Sequence, residues 1–249
     1  MLQLPDYFHY SIVDSTNDEA KKKLNIASFV MVTADIQSKG RGRNGKIWIG
    51  NAYENLFLTF GIRHLTSVQP TVPTALQAAG ALLVLHTLTT LLPHTRFALK
   101  YPNDIYAQFN MKQYKLGGVL IENEYLGSSL HSSVIGIGLN VNQDAFPESL
   151  QAISLKALGF GLTPAEIATQ LRTYAPQIFS EALTHPGITL KRWEETLEIR
   201  NKVISILTTQ QSGIAQGLSN DGHLIVALPP FEGEIIHMTN GDSISYDLF

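Results

Sequence analysis

The chain has 249 residues, with 18 Lys plus Arg against 21 Asp plus Glu, and it contains no cysteine. That length buries one sizeable core and leaves room for a small second domain, while the net charge of −3 gives no general attraction to nucleic acid or to membrane surfaces. Without thiols there are no disulfides, thiolate metal sites or cysteine nucleophiles.

The opening MLQLPDYFHY has neither the basic nor the apolar region of a signal peptide, so a cytoplasmic location is expected. Ser15-Thr16-Asn17-Asp18-Glu19 reads as a helix start, with Thr16 and Glu19 at capping-box spacing. Phe29 to Ile36, rich in β-branched residues, predicts a strand. A Gly- and Arg-rich loop follows from Gln37 to Ile47, then a second strand from Asn55 to Ile62. Pro73 to Leu92 predicts a helix with proline in its first turn. Within it Ala75 to Leu92 is apolar and nearly long enough to span a membrane, but Gln77, His86 and its threonines favour a buried helix crossing behind a sheet.

Phe97 to Tyr101 predicts a short strand ended by Pro102, which cannot serve a central ladder. Ile105 to Gln108 and Lys115 to Glu124 read as a strand pair around a polar turn, and Ser132 to Val141 as a further strand. Pro147 to Leu197 reads as mostly helical, with a strong start at Thr163-Pro164-Ala165-Glu166. The composition changes near Arg200. Beyond it lie five short alternating runs, KVISILTT, GIAQGLS, HLIVALP, EIIHM and SISYDL. They are separated by turn signals at Gln210 to Gly213, Asn220-Asp221-Gly222, Pro229-Pro230 and Asn240-Gly241-Asp242. The expected organisation is an α+β catalytic domain over residues 1–198, a mixed sheet with packed helices, followed by a small all-β domain over 199–249.

Three segments carry candidate chemistry. Gly40-Arg41-Gly42-Arg43-Asn44-Gly45-Lys46-Ile47-Trp48 combines glycines, which let backbone N–H groups converge on a ligand, with guanidinium forks that suit carboxylate or phosphate. Trp48 offers a face for a base. The same composition also describes a flexible basic surface loop or a nucleic-acid contact, and no Gly-Lys-Ser/Thr makes it a Walker loop. Lys100-Tyr101-Pro102-Asn103-Asp104 followed by Lys115-Leu116-Gly117-Gly118 places a carboxylate suited to Mg²⁺ near two lysines, although Pro-Asn-Asp alone is an ordinary turn. Gly136-Ile137-Gly138-Leu139-Asn140 puts glycines inside a strand, a sign of a bulge or a close approach to the backbone.

In serial order, Ser-Thr-Asn, Gln-x-x-Gly-Arg-Gly-Arg-x-Gly, Lys-aromatic-Pro-Asn-Asp, Lys-Leu-x-Gly and Gly-x-Gly-x-Asn resemble the biotin protein ligases, from about Phe8 to the C-terminus. The resemblance implies a class II synthetase-like ligase core and a small SH3-like β-barrel at the end. It also implies a two-step reaction, in which ATP activates biotin as biotinoyl-5′-AMP and a carrier-protein lysine then takes the acyl group. By the same resemblance Ser15, Thr16, Asn17, Gln37, Arg41, Gly42, Arg43, Lys115, Gly118 and Leu120 bind biotin. Trp48, Lys100, Asn103, Gly136, Gly138 and Asn140 contact ATP or the adenylate, and Asp104 holds Mg²⁺. Lys115, Arg41 and Arg43 carry the catalysis. The implied partner is a biotin carboxyl carrier protein or domain, with neither nucleic acid nor membrane; a homodimer stays open. Only fourteen residues precede Ser15, which leaves no room for an upstream helix-turn-helix and argues against a biotin-responsive repressor. A lipoate or octanoate ligase of the same superfamily, or a non-catalytic biotin-binding regulator, is the alternative. The chain departs from the family pattern at Tyr101, where Trp is usual, at Gly117, where Ala is common, and at Asn44 and Lys46, where further arginines occur.

Overall fold

The computed structural model describes residues 1–48, 50–147, 150–229 and 234–249. Its largest unit is a seven-stranded mixed sheet with strand order β1-β2-β3-β7-β6-β5-β4. The strands are β1 (Asp6–Val13), β2 (Phe29–Gln37), β3 (Asn55–Arg63), β4 (Phe97–Lys100), β5 (Asp104–Phe109), β6 (Lys112–Leu126) and β7 (Ser129–Asn140). β1 runs parallel to β2 and every other pair is antiparallel. The expected edge position of the strand before Pro102 is met by β4. β1 gave little sign of itself in the sequence, because DYFHYSIV exposes most of its side chains and lacks a regular apolar alternation.

One face of the sheet is covered by α2 (Val72–Leu91), α3 (Pro164–Thr184) and α4 (Pro186–Leu197). α2 is buried along most of its length between the sheet and the other two helices, which accounts for its uniform apolarity without a membrane. Gly80 lets it sit close: a Cβ there would lie 2.7 Å from Ile135 and 2.9 Å from Val119. α3 begins with the expected capping box, Thr163 and Glu166 satisfying each other's backbone N–H. The stretch from Leu150 to Leu162 is not helical, contrary to the sequence reading; residues 151–155 instead pair with Lys115 and Asn140.

The opposite face carries α1 (Thr16–Lys23), seated on Val30, Val32 and Val134 through Ala20 and Leu24. Its cap is Ser15, whose Oγ accepts from Asn17 N, so the expected Thr16–Glu19 box is displaced by one residue and Glu19 turns instead to Lys22. The C-terminal strands β8 (Val203–Ile206), β9 (Gln211–Leu218), β10 (Leu224–Leu228), β11 (Glu234–Met238) and β12 (Ile244–Ser245) form a second antiparallel sheet, ordered β11-β10-β9-β8-β12. Among the described residues no hydrogen-bonded pairing joins β11 to β12, the two ends of this order. The Pro229-Pro230 turn signal falls partly outside the described residues. Ile204, Val226, Ile244 and Tyr246 join the apolar cluster of the main sheet, so the two sheets share one core.

Candidate active site

On the α1 face, strand register lines up a trough. Phe57 on β3 faces Gly138 on β7, Gly138 faces Gly118 on β6, and Gly118 faces Asp104 on β5. In the next row Thr59 faces Gly136, which faces Leu120. Side chains alternate along each strand, so both rows lie on one face, and glycines at the middle of each row leave that face hollow. The hollow opens into a cleft of about 420 Å³. Two side chains occupy the space the glycines concede: a Cβ at Gly136 would lie 2.4 Å from Asn17 Oδ1, and one at Gly138 would lie 2.4 Å from the Trp48 ring. The close approach expected at Gly136 and Gly138 is therefore made by Asn17 and Trp48, which shape the cleft wall.

At one end the cleft is polar and largely buried. Gln37 Oε1 accepts from Thr16 N at 2.8 Å and from Thr16 Oγ1 at 3.0 Å. Thr59 Oγ1 lies 2.8 Å from Thr16 Oγ1 and 2.7 Å from Asn17 Oδ1. Ser15, Thr16, Asn17 and Thr59 are all buried. Their mutual bonds fix the rotamers and leave the Gln37 and Asn17 amide N–H groups and the Ser15 hydroxyl to present to a ligand.

The other end is cationic. Register slips between β5 and β6: Ile105 faces Gly117 but Tyr106 faces Lys115, so Leu116 is passed over. This bulge brings the Lys115 ammonium 2.7 Å from Asp104 Oδ1. Lys100 is half-buried in the same wall, with Tyr106 beneath its ammonium. Among the described residues no carboxylate lies within ion-pair distance of it, and burial pushes its pKa below the ordinary lysine value. Arg43 reaches in from the loop, donating to Asn103 Oδ1 at 3.3 Å and to the Thr239 carbonyl at 2.9 Å. Asn103 in turn donates to the Val119 carbonyl at 2.7 Å. Among the described residues Lys100 and Arg43 are thus the cleft cations without a carboxylate partner, and both line the same cleft.

Arg41 lines the cleft and is itself paired with carboxylates. Its Nη1 and Nη2 donate to Asp18 at 2.9 and 2.7 Å, and its Nε and Nη2 to Glu122 at 3.0 and 3.2 Å. These contacts use most of its donors and raise its pKa, chiefly through the Asp18 hydrogen bonds. These bonds pin the loop to α1 and β6. Asn140 is buried and donates to the Ile153 carbonyl, so it holds the 151–155 segment that walls the cleft beside Lys115. Trp48 Nε1 is buried without a hydrogen-bond partner among the described residues.

All the residues singled out in the sequence line this one cleft: Ser15, Thr16, Asn17, Gln37, Arg41, Gly42, Arg43, Trp48, Lys100, Asn103, Asp104, Lys115, Gly118, Leu120, Gly136, Gly138 and Asn140. The sequence missed Thr59, Tyr106, Asn240 and Asp242. Thr59 looked like an ordinary β-branched strand residue, and the last two lie in a turn that only the fold brings across the cleft. Among the described residues no three His, Cys, Asp or Glu side chains converge, and Asp104 already holds Lys115. The residues therefore suit a Mg²⁺ that arrives on phosphates and takes one protein carboxylate, not a resident metal cage.

Residues 9–140 match the family model of the biotin/lipoate A/B protein ligases. The biotin--[acetyl-CoA-carboxylase] ligase of Mycobacterium tuberculosis is 28% identical over 222 residues, covering 84% of this chain and 79% of that protein. The bifunctional ligase/repressor BirA of Escherichia coli is 26% identical over 224 residues, covering 86% of this chain and 67% of its own length. Among solved structures, a biotin protein ligase from Aquifex aeolicus in complex with biotin and ATP superposes with a TM-score of 0.75 at 24% identity. That match covers 98% of this chain and 99% of the other, and shows the shared fold. The chain belongs to the biotin/lipoate A/B protein ligase family.

Proposed function

We propose that this protein is a biotin protein ligase that activates biotin with ATP and transfers it to a lysine of a biotin carboxyl carrier protein. The observation that carries the choice of biotin is the polar cluster of buried Ser15, Thr16, Asn17 and Thr59 with half-buried Gln37, at the end of the cleft away from its cations. A ureido ring supplies two N–H donors and one carbonyl acceptor and needs such a lining. The dithiolane of lipoate and the tail of octanoate offer nothing to it, and would leave those groups unpaired. From β3 to the Lys115 strand is two strand spacings, and from β2 three. That is about 10–14 Å, the scale of a bicyclic head with an extended acid arm.

In the first step a biotin carboxylate oxygen attacks the α-phosphorus of ATP, and the bond to the pyrophosphate oxygen breaks. Lys115 sits where the carboxylate and α-phosphate meet, so its ammonium stabilises charge that builds at phosphorus. Lys100 and Arg43, which have no carboxylate partner among the described residues, hold phosphate oxygens. Mg²⁺ carried by the nucleotide would take Asp104 as its protein ligand and neutralise the departing pyrophosphate. In the second step the neutral amine of a carrier lysine attacks the acyl carbon, AMP leaves, and the amine proton passes to solvent or to the departing phosphate. No residue of this chain forms a covalent bond, so catalysis rests on placement and charge. The Gly-Arg loop, pinned by Arg41, covers the mixed anhydride and keeps water away.

The test is mass spectrometry of a carrier domain incubated with the protein, Mg-ATP and either biotin or lipoate. One biotin on a single carrier lysine is expected; faster transfer of lipoate would overturn the substrate assignment.

A further inference from the structure

The covering loop is held from two sides that belong to distant parts of the chain. Its first half is fixed to the main sheet by Arg41, through Asp18 on α1 and Glu122 on β6. Its second half is not. Among the described residues every side-chain hydrogen bond of Asn44 and Lys46 goes to the C-terminal turn at residues 240–242. Asn44 Nδ2 donates to Asn240 Oδ1 and to Asp242 Oδ2, each at 3.1 Å, and Lys46 Nζ donates to Asp242 Oδ1 at 2.8 Å. Arg43 adds its bond to the Thr239 carbonyl.

The turn that receives these bonds also holds itself. Asn240 Oδ1 accepts from Asp242 N at 3.0 Å, and Ser243 Oγ donates to the Asn240 carbonyl at 2.9 Å. Gly241 is pressed so closely on the cleft floor that a Cβ would lie 2.1 Å from the Tyr101 carbonyl oxygen. The loop closes on itself through backbone bonds from Gly42 N to the Lys46 carbonyl at 2.7 Å, from Lys46 N to the Arg43 carbonyl at 3.0 Å and from Trp48 N to the Gly40 carbonyl at 3.0 Å, and the stiff turn offers a row of acceptors that ties this small hairpin down as a unit. Burial alone would raise the Asp242 pKa, but hydrogen bonds from Lys46 and Asn44 outweigh that and keep its carboxyl below the ordinary range.

We propose that the turn Asn240–Asp242 is a latch for the Gly-Arg loop, with Asp242 as a positioning residue that keeps the loop over the cleft and so keeps the acyl-adenylate from escaping. The proposal deepens the ligase reading and rests on it for the identity of what is retained. It assigns the C-terminal sheet a part in the first half-reaction, through loop closure rather than through contact with substrate. Because the central bond is a partly exposed ion pair, with side-chain exposures of 63% for Lys46 and 37% for Asp242, salt weakens it.

The experiment compares the parent with Asp242→Ala, Lys46→Ala, the double variant, and the charge-exchanged pair Asp242→Lys with Lys46→Asp. Two readouts are taken. One is hydrogen exchange of residues 40–47 in the ligand-free protein. The other is the fraction of biotinoyl-AMP released to solution rather than transferred to a carrier domain. Each alanine variant should raise loop exchange and leak on the order of fivefold, the scale of losing one or two exposed polar contacts. The double variant should be no worse than either single one, and the exchanged pair should recover part of the loss. High salt should raise leak in the parent and leave the alanine variants where they are. Melting temperature and biotin affinity identify any variant that has simply lost its fold. Additive effects in the double variant, or unchanged loop exchange in both single variants, would overturn the latch. A parent protein that makes no adenylate from biotin would instead sink the ligase reading, and the exchange measurement would still decide the latch.

Discussion

Tyr106 faces Lys115 across β5 and β6, where unbroken register would give it Leu116, and that slip puts the Lys115 ammonium 2.7 Å from Asp104 Oδ1 on the cleft side of the sheet. Leu116 is fully buried behind it and anchors the bulge. Lys115 is thereby fixed by backbone geometry, whereas Lys100 is held only by its half-buried stem.

This difference ranks the two lysines. Lys115→Ala should reduce adenylate formation by about 10²–10³, the usual cost of one lost group at the developing charge, and should weaken biotin binding as well. Lys100→Ala should mainly raise the KM for ATP and leave biotin affinity nearly intact. Calorimetric titration with biotin alone checks the assignment. Loss of biotin binding in the Lys100 variant, with retention in the Lys115 variant, would exchange the two roles.

Lys100 also sets a pH dependence. Burial lowers its pKa, so in the free protein it loses its proton below the ordinary lysine value of 10.5. Only the charged form attracts phosphate. Affinity for pyrophosphate or a non-hydrolysable ATP analogue should be full below that lowered pKa and decline as pH rises through it. The decline should start at lower pH than an unburied lysine would give. Lys100→Arg keeps its charge throughout and should bind with a flatter profile; matching profiles for the two proteins would count against an unpaired, half-buried Lys100.

The polar end of the trough can be tested one hydroxyl at a time. Thr59→Val keeps the shape and removes the atom that touches both Thr16 and Asn17. Biotin affinity should fall by about 3- to 10-fold, in line with roughly 1 kcal/mol for a buried hydrogen bond. Any weak binding of lipoate should be unchanged. Equal losses for both acids would mean that the network only supports the fold.

The two arginines of the loop should separate. Arg43→Gly should leak biotinoyl-AMP and label bystander lysines. Arg41→Ala should instead loosen the loop at its root and lower thermal stability by roughly 1 kcal/mol, because Asp18 and Glu122 lose their partner at partial exposure. Lys21 keeps one contact to Glu122, which limits the loss. A melting temperature unmoved by Arg41→Ala, with leak equal to that of Arg43→Gly, would restore the anion-binding role the sequence suggested.

Much of the site was legible because its residues are unusual for where they stand. Glycines inside β7 break a local rule, and broken rules gather at functional sites; the Gly-Arg loop and the Pro-Asn-Asp turn became legible only through their serial order with the other segments. What stayed hidden obeys local rules. Thr59 is a normal strand residue, and β1 is an exposed edge without a pattern. The role of Arg41 depends on Asp18 and Glu122, which only folding brings near it. Strand alternation would also place Lys115 on the face opposite Gly118; the bulge that corrects this has no one-dimensional signature. In the same way the 150–163 segment looked helical by composition, yet its backbone is claimed by Lys115 and Asn140.

Tyr101, at the position where the family pattern has Trp, stacks on Trp193 with ring centroids 5.6 Å apart. Its hydroxyl lies 2.8 Å from the Met238 carbonyl oxygen and accepts from Leu224 N, while its own backbone N donates to the Tyr246 hydroxyl. One residue of the Lys100–Asp104 segment is thus sewn into the C-terminal strands from three sides. Heating should consequently disassemble the cleft and the small sheet together, giving a single calorimetric transition whose van't Hoff and calorimetric enthalpies agree. Tyr101→Ala should split that transition in two or broaden it, since the seam between the sheets would then yield before either sheet does.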